Sequence, residues 1–306
     1  MKKNYYQELE NRPKISGKDS SKFFAPQSID EIMEIIEEND DYKIIAGGTD
    51  IMVEKFEELY EVKNWLAIDN IEELQKIYKK NKQLEIGAGV THTQLVQSNL
   101  IKDWIPALKE AALDVGSPQI RNRGTIGGNI VTSSPAGDLL PVLLVYDAEF
   151  ILKSKKNQRK VSAEDFFTGV KSNILKRDEI ITKIIIPLKK NNFDKWTKIG
   201  KRKALVISSL TLAVRIQLDN ENQKITDASL AMGAVAPTPL KINKAAEKIV
   251  DKKFVELDYK KIAKLVEQEI SPIDDIRGTA KYRSKVAFNI TVNAFKEIKE
   301  KIEGEK

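Results

Sequence analysis

The chain has no cysteine and a single histidine in 306 residues. The first absence excludes disulfides, thiolate catalysis, cysteine-ligated zinc and any cysteine-ligated iron–sulfur cluster carried by this chain. The second excludes a histidine-rich metal site and leaves His92 as the one histidine available for acid–base work. Long apolar runs are missing too: none approaches the ~20 residues that span a bilayer. The start, Met1-Lys2-Lys3-Asn4-Tyr5-Tyr6, lacks the apolar segment of a signal peptide, so the expected location is the cytoplasm, without membrane insertion. Two nucleotide fingerprints are absent. Gly87-Ala88-Gly89-Val90-Thr91-His92 opens like G-x-G-x-x-G but has His92 in place of the third glycine, and no G-x-x-x-x-G-K-[ST] occurs. A chain this large and this poor in reactive side chains is expected to borrow its chemistry from a bound cofactor.

The residues that are present describe an ordinary globular protein. With 41% hydrophobic and 31% charged residues the chain can bury a core, and its length suits two or three domains. The net charge of +6 comes from 51 basic and 45 acidic residues finely interleaved, which reads as a solvated Lys/Glu surface. The densest basic cluster, Lys153 to Lys160, has no interleaved aromatics. It reads as a hairpin tip, not a groove for nucleic acid.

Residues 1–21 are polar and aperiodic and read as an extension or linker. Ser28-Ile29-Asp30-Glu31 forms a capping box before a helix with Ile29, Ile32, Met33 and Ile36 on one face. Strands are expected at 43–46, 65–68 and 84–88, and one helical pattern from Thr91 to Val115, stopped by Gly116-Ser117-Pro118. An apolar helix is expected from Ala136 to Tyr146, opening near Asp138. Strand-like runs follow at 148–153, 180–186 and 196–199. A paired couple, 207–218 and 224–232, surrounds the turn Asp219-Asn220-Glu221-Asn222. Helices are expected at 243–250, 258–269 and 280–301. Subdomain changes are placed near Glu61 and near Lys189-Lys190-Asn191-Asn192. No internal repeat or low-complexity segment is visible.

Two glycine turns stand out. Ala46-Gly47-Gly48-Thr49-Asp50 follows the short strand Lys43-Ile44-Ile45, and Thr125-Ile126-Gly127-Gly128-Asn129 lies about eighty residues on. Glycine permits φ > 0 and removes the Cβ that would hold a phosphate away. Successive N–H groups in such turns form an anion nest to which Thr49 or Thr125 adds a hydroxyl. Gly47-Gly48 alone reads as a tight turn. Two such loops together suggest a diphosphate held from both sides, hence a dinucleotide outside the Rossmann scheme. Asp138 could cap the helix that follows it. By pattern, Lys198 reads as a solvated lysine of the 195–203 stretch, and His92 as a structural hydrogen-bonder at a helix start.

The first turn, the run from Gly116-Ser117-Pro118 through Arg121-Asn122-Arg123-Gly124-Thr125 to Asn129, and Ser134-Pro135-Ala136-Gly137-Asp138 together resemble the FAD-binding medium subunit of molybdenum hydroxylases. That family includes xanthine dehydrogenases, nicotinate dehydrogenase and the carbon monoxide dehydrogenase flavoprotein. The resemblance runs from about Phe23 to Ala294. It implies an α+β chain: a two-subdomain FAD-binding fold of the vanillyl-alcohol oxidase/p-cresol methylhydroxylase type over 22–190 (about 22–60 and 61–190). A C-terminal α+β domain, with a small antiparallel sheet and helices, would follow over 191–306. Residues 1–21 depart from the short start of free-standing medium subunits and look like the linker of fused members.

The resemblance also implies the site. Ile44, Ile45, Ala46, Gly47, Gly48, Thr49, Asp50 and Ile51 would grip the FAD diphosphate from one side, with Ile51 beside the reactive flavin edge. Thr125, Ile126, Gly127, Gly128 and Asn129 would grip it from the other. Gly116, Asp138, Ile181 and Lys198 would complete the cofactor contacts. No residue of this chain is expected to be catalytic, and none to bind metal. The implied function is electron relay by FAD between an iron–sulfur subunit with its molybdopterin-binding large subunit and an acceptor. NAD is one candidate acceptor. The alternative is a stand-alone flavin-dependent reductase of the same fold, such as one of cell-wall precursor synthesis, which also uses Gly-Thr-x-Gly-Gly. The Ser133-Ser134-Pro135-Ala136-Gly137-Asp138 continuation argues against it.

Overall fold

The computed structural model describes residues 22–56, 64–190, 192–202, 205–219 and 224–304. The polar 1–21 segment, the change expected near Glu61 and the turn residues Asn220–Asn222 lie outside them. Three sheets organise the described residues. The first is parallel, in the order β1-β3-β2, from Lys22–Phe24 (β1), Lys43–Ile45 (β2) and Asn64–Ala67 (β3). Between its strands lie helix α1 (Ile29–Glu38) and the short α2 (Ile51–Phe56). The apolar run Ile51-Met52-Val53 starts α2.

The sequence puts α1 where it is. Ser28 caps the helix, its Oγ accepting from Glu31 N–H. The returning half of the expected capping box goes one residue further out, because Glu31 Oε2 accepts from Gln27 N–H. Ile32, Met33 and Ile36 then face Leu66, Ile71 and Leu74 in a small core, each burial stabilising by roughly 1.5–3 kcal/mol.

The second sheet is antiparallel, in the order β4-β5-β10-β6-β7. Its strands are Ile77–Lys80 (β4), Gln83–Gly87 (β5), Glu149–Lys153 (β6), Gln158–Ser162 (β7) and Ile180–Pro187 (β10). The basic cluster at 153–160 is the β6–β7 turn, as its lack of aromatics suggested. β4 went unread in the sequence because Tyr78-Lys79-Lys80 is exposed and has no apolar alternation to reveal it. Phe167–Gly169 (β8) and Ser172–Asn173 (β9) make a minor hairpin.

The single helix expected over 91–115 is three: α3 (His92–Gln97), α4 (Asn99–Trp104) and α5 (Pro106–Leu113). Ser98 ends the first and caps the second, and Pro106 can only open the third, having no N–H to continue the ladder. The apolar positions still converge on one core, because each short helix turns its own apolar residues inward. Then come α6 (Pro118–Arg123), α7 (Ile126–Thr132), α8 (Leu140–Val145) and α9 (Ala163–Phe166).

The third sheet is an antiparallel meander, in the order β11-β12-β13-β14, from Asn192–Ile199 (β11), Leu210–Leu218 (β12), Ile225–Gly233 (β13) and Leu240–Lys241 (β14). Helices α10 (Asn243–Glu247), α11 (Tyr259–Glu269) and α12 (Ala280–Gly304) accompany it. The expected pair of strands and the three terminal helices are all present. β12 is buried on both faces. Leu210, Leu212, Val214, Ile216 and Leu218 enter the C-terminal core, while Ala213 on the other face joins the core of the second sheet.

Two buried polar residues fasten that second face. Arg215, 1% exposed, donates from Nε to Val145 C=O at 2.6 Å. Its Nη1 lies 2.9 Å from Asp227 off the hydrogen-bonding line, an ionic contact. Asp194 Oδ2 accepts from Ala107 N–H at 2.9 Å and from the Tyr146 hydroxyl at 2.7 Å, joining β11 to α5 and to the end of α8. We predict that Asp194→Ala lowers unfolding free energy by about 3 kcal/mol, because two buried donors lose their acceptor. Urea denaturation checks this; a loss under about 1 kcal/mol would contradict the role given to Asp194.

Candidate functional site

The first glycine turn meets, backbone to backbone, the residues just ahead of the second. A Cβ placed on Gly47 would lie 1.8 Å from the carbonyl oxygen of Arg123, so only glycine allows the first loop to press on the end of α6. A Cβ on Gly124 would lie 3.2 Å from Thr49 Oγ1. Asp50 Oδ2 accepts from Thr132 Oγ1 at 3.0 Å, tying the end of the first loop to the last turn of α7. Sequence segments some eighty residues apart therefore form one surface, as the pairing of the motifs suggested.

The two turns are not equivalent. In the first, Gly48 has φ +75° and the backbone N–H groups of Gly47, Gly48 and Thr49 meet no acceptor among the described residues. That loop keeps the free donors of an anion nest. In the second, four of the five backbone donors are already engaged, and only Thr125 N–H meets no acceptor among the described residues. Ile126 N–H donates to Val90 C=O, Gly127 N–H to Ala88 C=O, Gly128 N–H to Thr125 Oγ1 and Asn129 N–H to Thr125 C=O. The nest expected there is absent, because the loop uses its N–H groups to dock on the 88–91 segment and to start α7. What it offers instead is surface and side chains. Gly128 is exposed, and a Cβ there would meet only Thr125 Oγ1, at 3.0 Å. Asn129 Oδ1 is buried without a partner among the described residues. Gly127 serves packing, since a Cβ would lie 2.6 Å from Ala88 C=O.

Asp138 does not cap a helix. α8 begins two residues later, with Leu139 at its N-cap and no side-chain cap. The carboxylate instead holds Lys198, Nζ to Oδ2 at 2.6 Å, and accepts from Ser208 Oγ at 2.5 Å. Burial pushes the Asp138 carboxyl above its usual range, and Lys198 and Ser208 pull against it. Lys198 is thus a buried ion-pair partner, not the solvated lysine its stretch suggested. It also donates to Asp114 C=O at 2.8 Å. With Gly116 (φ +45°) and Arg121 it lines a cleft of about 980 Å³. Ile181 is 4% exposed, within the core of the second sheet. Ile44, Ile45, Ala46 and Ile51 are all half-buried around the first loop.

His92 does begin a helix, α3, but its Nδ1 has no partner among the described residues, and the expected hydrogen-bonding role is unfilled there. Its ring packs under Gly124, 3.1 Å from the position of a Cβ. Burial, aided by the nearby Arg121 charge, lowers its pKa to about 4. Sequence reasoning missed Ser208 and Asp114 as partners of the Asp138–Lys198 pair; nothing local in the sequence distinguishes them from ordinary surface residues.

Free N–H groups in a glycine turn suit an anion, and a buried carboxylate paired with a cleft-lining lysine suits a ligand hydroxyl. Residues 18–189 match the family described as the FAD binding domain in molybdopterin dehydrogenase, and 195–298 match the CO dehydrogenase flavoprotein C-terminal domain. The chain belongs to this family. It is 31% identical to the nicotinate dehydrogenase FAD-subunit of Eubacterium barkeri, over 92% of this chain and 97% of that one. It is 29% identical to the glyceraldehyde dehydrogenase medium chain of Sulfolobus acidocaldarius, over 90% and 97%. Among solved structures it is similar to carbon monoxide dehydrogenase from Hydrogenophaga pseudoflava (TM-score 0.84, 27% identity, 90% of this chain and 96% of that one). It is likewise similar to the reconstituted enzyme from Oligotropha carboxidovorans (0.85, 26%, 94% and 99%). The family and the α+β fold are those the motifs implied.

FAD fits the residues present. The free N–H groups of the first loop suit a diphosphate, the space over Gly128 admits one, and Asn129 has a buried acceptor still to be satisfied. Among the described residues no acidic or histidine cluster could hold a metal ion, and no helix is long and apolar enough to cross a membrane.

The geometry separates the glycines by role. Gly47→Ala should destabilise the fold by about 2 kcal/mol or more, since backbone must move, whereas Gly128→Ala should cost under about 1 kcal/mol. Equal losses in denaturant titrations would refute the distinction. His92 yields a pH prediction. Its folded pKa of about 4 lies below the ordinary 6.5, so the unfolded chain binds more protons between those values. The neutral ring's contribution is complete above about pH 6.5 and is lost progressively as pH falls toward 4. Relative to His92→Phe, the wild type should lose about 3 kcal/mol across that window. Parallel stability–pH curves for the two proteins would contradict it.

Proposed function

We propose that this chain is the FAD-carrying electron-transfer subunit of a molybdenum hydroxylase complex. Its electrons come from iron–sulfur clusters on a partner chain, beside a molybdopterin-binding large subunit, and leave to NAD⁺ or another acceptor. The observation that supports this reading is the contact of Gly47 with Arg123 and Gly124, which brings the loop bearing the free N–H groups of 47–49 against the residues that lead into the second glycine turn. Ile44 to Ile51 and Thr125 to Asn129 are the proposed cofactor-contacting segments, with Gly116, Asp138, Ile181 and Lys198. The division at about 190 into an FAD-binding and a C-terminal domain, and residence in the cytoplasm, belong to the same reading.

FAD, when bound, supplies the means to take electrons singly or in pairs. The chain's own part is binding and exclusion. The first loop donates N–H groups to an anion, and Thr125 and Asn129 offer side-chain polar atoms. Asp138 is an acceptor for a hydroxyl, and Lys198 balances its charge away from water. Ile51, opening α2 beside the nest, offers an apolar surface that transfers no proton. A relay needs no general acid or base here, consistent with a chain whose one histidine is buried and held neutral.

An absorbance spectrum of the tagged chain, with identification of the subunits that co-purify, tests the assignment. A flavin spectrum and two partner chains are expected; a colourless chain that takes up no FAD would refute it. Gly128→Val should abolish flavin retention while the fold persists, because its side chain projects into the space assigned to the diphosphate. Ile51→Ala should change the rate of flavin reduction more than FAD content, measured by stopped-flow absorbance; an unchanged rate counts against Ile51's place at the reactive edge.

A further inference from the structure

Asp138 is gripped through both oxygens by the two stems of one loop. β11 ends at Ile199 and β12 begins at Leu210, and Ser209 N–H donates to Ile199 C=O at 2.7 Å, closing the base of the segment between them. On the outgoing stem Lys198 Nζ lies 2.6 Å from Asp138 Oδ2. On the returning stem Ser208 Oγ lies 2.5 Å from Asp138 Oδ1, and Ser208 has no exposed surface. A buried serine usually satisfies itself on nearby backbone; this one reaches a carboxylate 70 positions away in the chain. The pairing joins the turn before α8 to the third sheet, and Lys198 lines the cleft beside Gly116.

We propose that Ser208 is a positioning residue for FAD binding: with Lys198 it holds the Asp138 carboxylate in one orientation and in its ionised form, the state that accepts a ligand hydroxyl. This rests on the FAD reading above. An ionised carboxylate has about four acceptor positions. Ser208 and Lys198 take one on each oxygen and leave the others for a ligand. The groups facing Asp138 pull in opposite directions. Burial and the charge of Asp114 favour the neutral acid, while the Lys198 charge and the two hydrogen bonds favour the carboxylate. Without the Ser208 hydroxyl the balance moves toward a protonated Asp138, which would meet a ligand hydroxyl as a donor in place of the intended acceptor.

The test is equilibrium FAD binding by the full chain, followed by flavin fluorescence near pH 8 and near pH 5.5. Ser208→Ala should bind FAD about tenfold more weakly than wild type near pH 5.5 and within about twofold near pH 8. In an Asp138→Asn background, Ser208→Ala should change nothing further. Ser208→Thr and Ser208→Val form a second pair of equal shape, in which only the hydroxyl differs. Threonine should bind FAD more tightly than valine, and more so at the lower pH, whether or not the alanine variant folds. A loss equal at both pH values, a loss that persists in the Asp138→Asn background, or identical binding by the Thr and Val variants overturns the proposal, leaving Ser208 as a loop staple only. Failure of the wild type to bind FAD at either pH overturns the FAD reading itself, and this proposal with it.

Discussion

The approach of Gly47 to the Arg123 carbonyl is the constraint on which the site depends. No side chain can occupy that contact, because any Cβ would fall within bonding distance of the oxygen. The consequence is geometric. With its own backbone pressed on the end of α6, the first loop is fixed relative to α7, which follows within three residues. The Asp50–Thr132 hydrogen bond then closes the other end of α7 onto the same loop. A nest of N–H groups binds an anion well only if it is preorganised, since ordering a mobile loop on binding would consume part of the interaction energy. Here the protein–protein contact does that ordering in advance.

The same logic explains why the second loop gives up its N–H groups. Ile126 and Gly127 hydrogen-bond to the 88–90 segment, which leads directly from β5, so α7 is anchored to the central antiparallel sheet. A loop whose N–H groups are mostly satisfied by its own protein offers surface and side chains, not a second nest. Glycine composition alone does not distinguish the two roles. Gly47 and Gly127 are glycine because protein backbone fills the space of a side chain, Gly48 because φ is positive, and Gly128 because nothing but the capping threonine fills it.

Much of the fold was legible in the sequence. α1, the β12–β13 pair and the three C-terminal helices all carry clear periodicity with caps or turns at their ends. Errors arose where periodicity and punctuation disagreed. Over 91–115 the apolar spacing suggests one helix, but Ser98 and Pro106 divide it into three that bury the same residues. β4 was invisible because one neighbour and exposed side chains define it. The site was legible as motifs, and its wiring was not. Asp138 and Lys198 are 60 positions apart, and nothing in either neighbourhood announces that each satisfies the other.

That wiring gives the C-terminal sheet a part in the site. A buried ion pair is weak evidence for stability, since desolvation offsets much of the attraction. Replacing a buried ion pair by apolar residues is often neutral or stabilising, so the interest of the Lys198–Asp138 pair lies in what it fixes. Arg215 and Asp194 fasten the third sheet to α8 and α5. With that docking set, the β11–β12 stems reach Asp138 through Lys198 and Ser208. The carboxylate is therefore held between the turn that leads into α8 and the stems of the third sheet, and a shift of that sheet against α8 would move its two partners.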